Sequence, residues 1–266
     1  MNLLEAIKER RSVRNYDGNR LTDLQIATLL DAINESSSPF GGRLTIRLKE
    51  FDLRKGYRPT TYGMIKGARH FFLLASGADG ESALSTGFRF EQIVLKAWQM
   101  GLGTCWIAAT FKGSDFDRDQ TWPEGETLRI VCPVGTAAPP TATERLTRLA
   151  LRSANRLPFD RLFYHTDFHT PLHKDNRFAE PLEMLRLAPS STNSQPWRAL
   201  VCDNHTVHFY YRHKSDISLI DCGIGFCHFH KTEKFRGHDG IFFKADATPA
   251  PPRDWKYLIS YTTAPA

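Results

Sequence analysis

Ala188-Pro189-Ser190-Ser191-Thr192-Asn193-Ser194-Gln195-Pro196-Trp197-Arg198 crowds prolines, hydroxyls and carboxamides into one short stretch. Pro189 and Pro196 fix their own φ and push the residues before them away from the helical region, so the backbone is stiffened on both sides of Asn193. A stiff loop can hold Ser190, Asn193 and Gln195 where they donate and accept at set points. The polar edge of a flavin ring, with alternating carbonyls and nitrogens, is a ligand of that kind. The same composition also reads as an ordinary Ser/Asn/Pro connection. Trp197 reads as core filler sooner than as a pocket wall.

A second polar segment lies far away in the chain, at Arg10-Arg11-Ser12-Val13-Arg14. Guanidinium groups bind phosphate oxygens bidentately, and a hydroxyl adds one more bond. In an extended segment Ser12 and Arg14 point the same way. By spacing alone these residues also read as a solvated basic turn. Taken together, the two segments suggest a chain that wraps a phosphorylated, amide-rich cofactor. A third segment, Gly101-Leu102-Gly103 followed by Thr104 to Ala109, is built of small residues that let a ligand approach the backbone. The N–H of Ala108 or Ala109 could then meet a ring nitrogen. A helix C-cap explains the glycines equally well.

The chain has 266 residues, 41% of them hydrophobic, enough for one large domain or two fused halves. Its net charge of +6 comes from scattered cations without a long basic run, which fits a solvated surface better than a nucleic-acid face. The cysteines, Cys105, Cys132, Cys202, Cys222 and Cys227, are odd in number and sit in apolar runs, so no disulfide framework is expected. Cys222, Cys227, His228 and His230 do not complete a tetrahedral metal set. No GxGxxG follows a strand and there is no P-loop. With no apolar signal core and no run long enough to span a bilayer, a soluble cytoplasmic protein is expected. His238-Asp239 reads as a surface turn, and no side-chain acid or base stands out as catalytic.

Along the chain, Leu3, Leu4 and Ile7 mark a helix reaching Arg10. Thr22 and Gln25 form a capping box for a helix ending near Asn34, with Leu24, Ile26, Leu29, Leu30 and Ile33 as its apolar stripe. Strands are expected at Thr45–Phe51, Phe71–Ala75 and Leu128–Val134, and a helix at Phe88–Met100 closed by Gly101. Residues 137–143, rich in Ala, Pro and Thr, are the candidate boundary between a first half, 1–140, and a second, 141–266. The second half repeats the order of the first: His70-Phe71-Phe72 has a counterpart in His208-Phe209-Tyr210. Gly87 and Gly101 flank a predicted helix at the separation shown by Gly223 and Gly237, and Gly101–Trp106 aligns with Gly237–Phe242. This suggests a diverged duplication. The loop Ser36–Arg43 stands where the second half has Pro189–Trp197, but lacks the Asn, Gln and Trp.

These residues resemble the FMN-dependent nitroreductase family. Arg10-Arg11-Ser12-Val13-Arg14 looks like its N-terminal phosphate-binding motif, and Ala188 to Trp197 like its Pro-Ser-x-x-Asn-x-Gln-Pro-Trp motif. Gly101 to Ile107 resembles the segment that sets a backbone N–H beside flavin N5, and Arg156-Leu157-Pro158 resembles a late Arg-x-Pro element that meets the phosphate. Ala108-Ala109 departs from the Glu-Gly pair of many members. In ordinary members a second identical subunit completes the site. Here the cations and the loop are separated by nearly the whole chain, similar to a single-chain branch in which duplication mimics the dimer.

The resemblance implies an α+β fold of two repeats, with mixed or antiparallel sheets flanked by helices and packed as an intrachain pseudo-dimer. It implies one FMN per chain, held by Arg10, Arg11, Ser12, Arg14, Ala108, Ala109, Arg156, Pro189, Ser190, Asn193 and Gln195. It also implies ping-pong oxidation of NAD(P)H with a nitroaromatic, a quinone or a similar small-molecule acceptor, without metal, nucleic acid or membrane, in a monomer or homodimer. An FMN carrier or sensor without turnover is the alternative. It draws on His230, Glu233 and Lys234, which stand where the first half has Val94, Ala97 and Trp98.

Overall fold

The structure is a computed structural model that describes residues 1–52, 59–141, 145–146, 149, 155–215 and 217–263. The Ala/Pro/Thr-rich boundary expected at 137–143 therefore lies partly outside the described residues.

Among the described residues the strands form two sheets. The first joins β1 (Leu44–Glu50), β2 (His70–Ser76), β3 (Gly103–Thr104) and β4 (Thr127–Gly135) in the order β1-β2-β4-β3, every pair antiparallel. The second joins β5 (Phe163–His165), β6 (Trp197–Val201), β7 (Thr206–Tyr211), β8 (Gly240–Phe243) and β9 (Lys256–Thr263) in the order β5-β6-β7-β9-β8. Apart from β5, which runs parallel to β6, this is the order and direction of the first sheet again. β2 is buried along its whole length, which is why His70-Phe71-Phe72-Leu73-Leu74-Ala75-Ser76 reads as a continuous rather than an alternating apolar run.

The helices with described bounds are α1 (Leu3–Glu9), α2 (Asp23–Glu35), α3 (Gly80–Gln99), α4 (Gly113–Asp117), α5 (Ala179–Leu187) and α6 (Ser218–Phe235). The expected capping box at Thr22 is present, with Gln25 N–H donating to Thr22 Oγ1 at 3.2 Å and Thr22 N–H to Gln25 Oε1 at 2.9 Å. The stripe on α2 is narrower than expected. Ile26, Leu29 and Ile33 face the core, while Leu24 and Leu30 fall off that face and are exposed. Among the described residues no helix is long and apolar enough to cross a membrane.

A larger correction concerns α3, which begins at Gly80 rather than Phe88. Asp79 caps it, accepting from the Ser82 N–H and hydroxyl at 2.7 Å each. The added turns, Gly80 to Gly87, are mostly small residues and carry no apolar period. Gly87 and Gly223 do not flank helices, as their spacing suggests. They lie inside α3 and α6 at the point where these helices cross. A Cβ on Gly87 would stand 2.0 Å from the Ile220 carbonyl oxygen, and one on Gly223 2.2 Å from that of Leu84. Each contacted carbonyl sits three residues before the partner glycine, so the contact is reciprocal. It fuses the halves: Phe40, Leu84 and Phe88 are buried in the core of the second sheet, and Ile220 in that of the first.

Candidate functional site

The helix crossing leaves a cavity of about 900 Å³ on one side. Four stretches wall it. They are the end of α1 with Arg10, Arg11, Ser12 and Arg14; the segment Trp106–Thr110; the loop Pro189–Asn193 with Asn155 and Arg156; and the start of α6 at Ile217, Ile220, Asp221 and Ile224. The structure thus brings together residues from both ends of the chain. Of the residues expected to hold FMN, all but Gln195 line this wall.

The basic segment is placed by the backbone. Val13 N–H donates to the Thr104 carbonyl at 2.9 Å, which sets Arg10–Arg14 alongside β3. Gly103 makes that approach possible, since a Cβ there would lie 2.6 Å from the Val13 side chain. Gly101 closes α3 with φ +77°, a left-handed value suited to glycine. The Gly101–Gly103 pair therefore serves a helix end and a close strand contact, and not the direct approach of a ligand to these glycines. Arg14 is buried, and its Nε and Nη1 find no hydrogen-bond acceptor among the described residues. Arg10 is in the same condition at Nε and Nη1, with Glu91 Oε1 the nearest acid at 3.6 Å. Arg11 is exposed and lies over the Trp98 ring at 6.0 Å.

Arg156 adds a third guanidinium. It donates to Asn193 Oδ1 at 3.3 Å and to the Leu187 carbonyl at 3.0 Å. Burial, then the charges of Arg10 and Arg186, push it down to about 10. Arg10, Arg14 and Arg156 gathered on one wall, with Nε and Nη1 of Arg10 and Arg14 lacking a hydrogen-bond acceptor among the described residues, make a site that favours an anion.

The polar loop is tightly braced. Gln195 N–H donates to Ser190 Oγ at 2.9 Å and Asn193 Nδ2 to the Asn155 carbonyl at 2.8 Å. Gln195 is buried behind the wall. Its Oε1 accepts from the Leu157 N–H at 2.7 Å, and its Nε2 donates to the Asn193 carbonyl and Oδ1 at 3.2 and 3.3 Å. It shapes the loop from behind. Trp197 is fully buried in the core of the second half. On the facing wall, Ile107 pairs with Val131 through both backbone bonds at 3.0 Å. The next residues, Ala108 and Ala109, leave that ladder, and among the described residues neither N–H donates to a protein acceptor.

Two residues on or under this wall escaped the sequence reading. Glu91 is completely buried. It accepts from Trp106 Nε1 at 2.9 Å and faces His228 Nε2 at 3.0 Å as well as Arg10, so one carboxylate ties two cavity residues to α6. Asp221 is nearly buried and accepts from the Ser191 N–H at 3.1 Å and the Ser194 hydroxyl at 3.3 Å. Burial pushes its carboxyl up to about 7, and these hydrogen bonds pull it only partly back. For Asp221 the signal is one acid inside the apolar stretch Ile217–Phe226, whereas Glu91 lies between Arg89 and Gln92 and carries no such signal.

The two-sheet α+β fold agrees with what comparison with known proteins finds. A sequence model described as "Putative TM nitroreductase" matches residues 2–232, and the chain belongs to this nitroreductase family of oxidoreductase enzymes. Among solved structures it is similar to a nitroreductase from Thermotoga maritima, at 18% identity over 99% of this chain and 93% of that one, with a TM-score of 0.63. It is also similar to nitroreductases crystallised with bound FMN. That of Bacteroides fragilis is 18% identical over 52% of this chain and 89% of that one, with a TM-score of 0.43. That of Desulfitobacterium hafniense is 15% identical over 53% and 92%, with a TM-score of 0.45. No curated protein matches the sequence.

Proposed function

We propose that the chain is an FMN-dependent NAD(P)H oxidoreductase with one flavin site, in the cavity between its halves. The observation that carries this reading is the pair Arg10 and Arg14. Among the described residues the buried Nε and Nη1 of each lack a hydrogen-bond acceptor, yet they border a cavity whose other walls are a rigid hydroxyl- and carboxamide-bearing loop and an apolar slot. A phosphate monoester supplies the missing acceptors, and a flat polar-edged ring suits the loop and slot. Arg10, Arg14 and Arg156 would hold the phosphate, with Arg11 and Ser12 at its rim. Pro189, Ser190 and Asn193 would meet the ribityl chain or the pyrimidine edge, with Gln195 behind them. The N–H groups of Ala108 and Ala109 are preorganised donors for charge that develops on a bound ring.

The chemistry supplied by a bound FMN is hydride uptake from NAD(P)H and electron delivery to a nitroaromatic, quinone or similar acceptor in a separate half-reaction, a ping-pong cycle. The chain's own part is placement, exclusion of water and electrostatics.

The same reading takes the chain as a duplicated pseudo-dimer, 1–140 and 141–266, working as a monomer or homodimer in the cytoplasm. The repeated sheet order and the reciprocal glycine crossing support it. Purification followed by a visible spectrum, FMN titration and NAD(P)H oxidation with a nitro acceptor tests the proposal. Yellow protein with acceptor-dependent turnover is expected, and a colourless chain that takes up no added FMN overturns it. Bound flavin that NAD(P)H cannot reduce would point to the carrier or sensor alternative.

A further inference from the structure

The loop that faces the cavity is strained. Thr192, Asn193 and Gln195 have φ of 49°, 58° and 46°, left-handed values that residues with a Cβ seldom adopt. Such a conformation persists only where its surroundings impose it. Asp221, in the first turn of α6, supplies a large part of that restraint through its bonds to the Ser191 N–H and the Ser194 hydroxyl. The other half shows what a minimal brace looks like. Two residues before Gly223 stands Asp221, and two residues before Gly87 stands Ser85. The Ser85 hydroxyl bonds Ser38 Oγ at 2.8 Å and the Gly41 carbonyl, so at the position matching Asp221 the loop Ser36–Arg43 meets a neutral group, and a charged side chain that bonds it, Arg89, sits a turn further on and reaches Ser36 at 3.2 Å. The position two residues before the crossing glycine therefore takes a neutral group in one half and a carboxyl in the other. A buried carboxylate is a costlier choice, because burial disfavours its charged form.

We infer that Asp221 is the positioning residue of the cavity: as a carboxylate it latches the strained Ser190–Gln195 loop in the shape that receives FMN, and as a neutral acid it loosens that hold, so that flavin affinity depends on the protonation of this one group. The inference rests on the flavin reading above. The groups around Asp221 are few in kind. Ser191 and Ser194 do not titrate, and burial keeps the neighbouring Cys222 thiol protonated, with Arg198 of β6 close enough to act on it. The shared cavity wall carries Arg10, Arg14 and Arg156. Lys8, Glu9, Arg11 and Arg145 complete its charged set. Burial outweighs both hydrogen bonds in setting the carboxyl near neutrality.

The test titrates the full-length apo-protein and its Asp221→Asn variant with FMN and with riboflavin, read by flavin fluorescence, between about pH 5.5 and about pH 8.5. Losing charge-assisted bonds to the loop weakens both flavins about tenfold at the alkaline end. At the acid end the wild type is itself neutral at this site, and the two proteins agree within about twofold. The ratio of variant to wild type cancels the titration of the FMN phosphate, which lies near pH 6. A ratio that stays constant with pH, or a variant that binds as tightly as wild type at about pH 8.5, overturns the inference. Amide hydrogen exchange at Ser191 in the ligand-free chain reads the latch without flavin. Faster exchange in the variant, at alkaline pH only, supports it, and equal exchange throughout contradicts it. If neither protein takes up flavin, the functional proposal falls and the exchange result alone decides the latch.

Discussion

The two sides of the α3–α6 crossing are built alike and finished differently. On one side the residue after Gly223 is Ile224, the loop is Pro189–Asn193, and a cavity of about 900 Å³ remains. On the other the residue after Gly87 is Phe88, and Phe40 from the loop Ser36–Arg43 fills the space. Phe40 packs against Phe88 at 5.4 Å, Phe226 at 5.9 Å and Phe242 at 5.0 Å. Phe242 belongs to edge strand β8, as Trp106 follows edge strand β3 in the open half. One face thus spends its apolar surface on stability, and the other keeps Arg10 and Arg14 beside a hollow, with Nε and Nη1 of each lacking a hydrogen-bond acceptor among the described residues. The lesson is that a shared helix crossing sets where a site can form, while a few side chains per face decide whether it does.

The filled face gives the largest expected effect. Phe40→Ala removes an aromatic ring from a closed cluster and costs about 3–5 kcal/mol, visible as a lower urea midpoint. Flavin stoichiometry should remain one per chain; a variant that takes up two would show that Phe40 alone divides the faces. At the crossing itself, Gly223→Ala drives a Cβ into the Leu84 backbone, which cannot rotate away, and costs about 3 kcal/mol.

On the open face, Arg14→Ala weakens FMN by about 1.5–3 kcal/mol while leaving riboflavin nearly unchanged, measured by fluorescence titration. Arg14→Met raises the melting temperature of the ligand-free chain, because it removes a buried charge whose Nε and Nη1 have no hydrogen-bond acceptor among the described residues. The smallest effect is a change of slope. The folded-state value of Asp221, about 7, lies above the ordinary carboxylate value of 3.8. Its contribution to stability is therefore complete below the ordinary value and is lost as pH rises through about 7. Asp221→Asn should flatten that descent, with a melting temperature above wild type on the alkaline side and no gain in acid.

Much of this contrast could be read from residues whose effect is local. The Thr22–Gln25 capping box, the buried run of β2 and the stiff Pro189–Pro196 loop each follow from nearest neighbours in the chain. So did the two polar segments that meet at the cavity, since each carries its own chemistry. What stayed hidden depends on partners remote in sequence. The first turns of α3 are small because α6 crosses there, which no period in Gly80–Gly87 announces. Gly103 is small because Val13 lies on it. Gln195 looks like a ligand contact until Leu157 and Asn193 are seen to occupy it. Asp221 and Glu91 are buried acids of α6 and α3, and their roles appear only once the Ser191 loop and Trp106 are brought against them.

The central claim is that the first-half cations and the second-half loop enclose one flavin. A crystal structure of the chain soaked with FMN tests it most directly. The expected density places the phosphate on Arg10 and Arg14, with the ring between Ala108–Ala109 and the Ser190–Asn193 loop, once per chain. A cavity that stays empty at saturating FMN, or a flavin bound on the Phe40 face, would contradict the account.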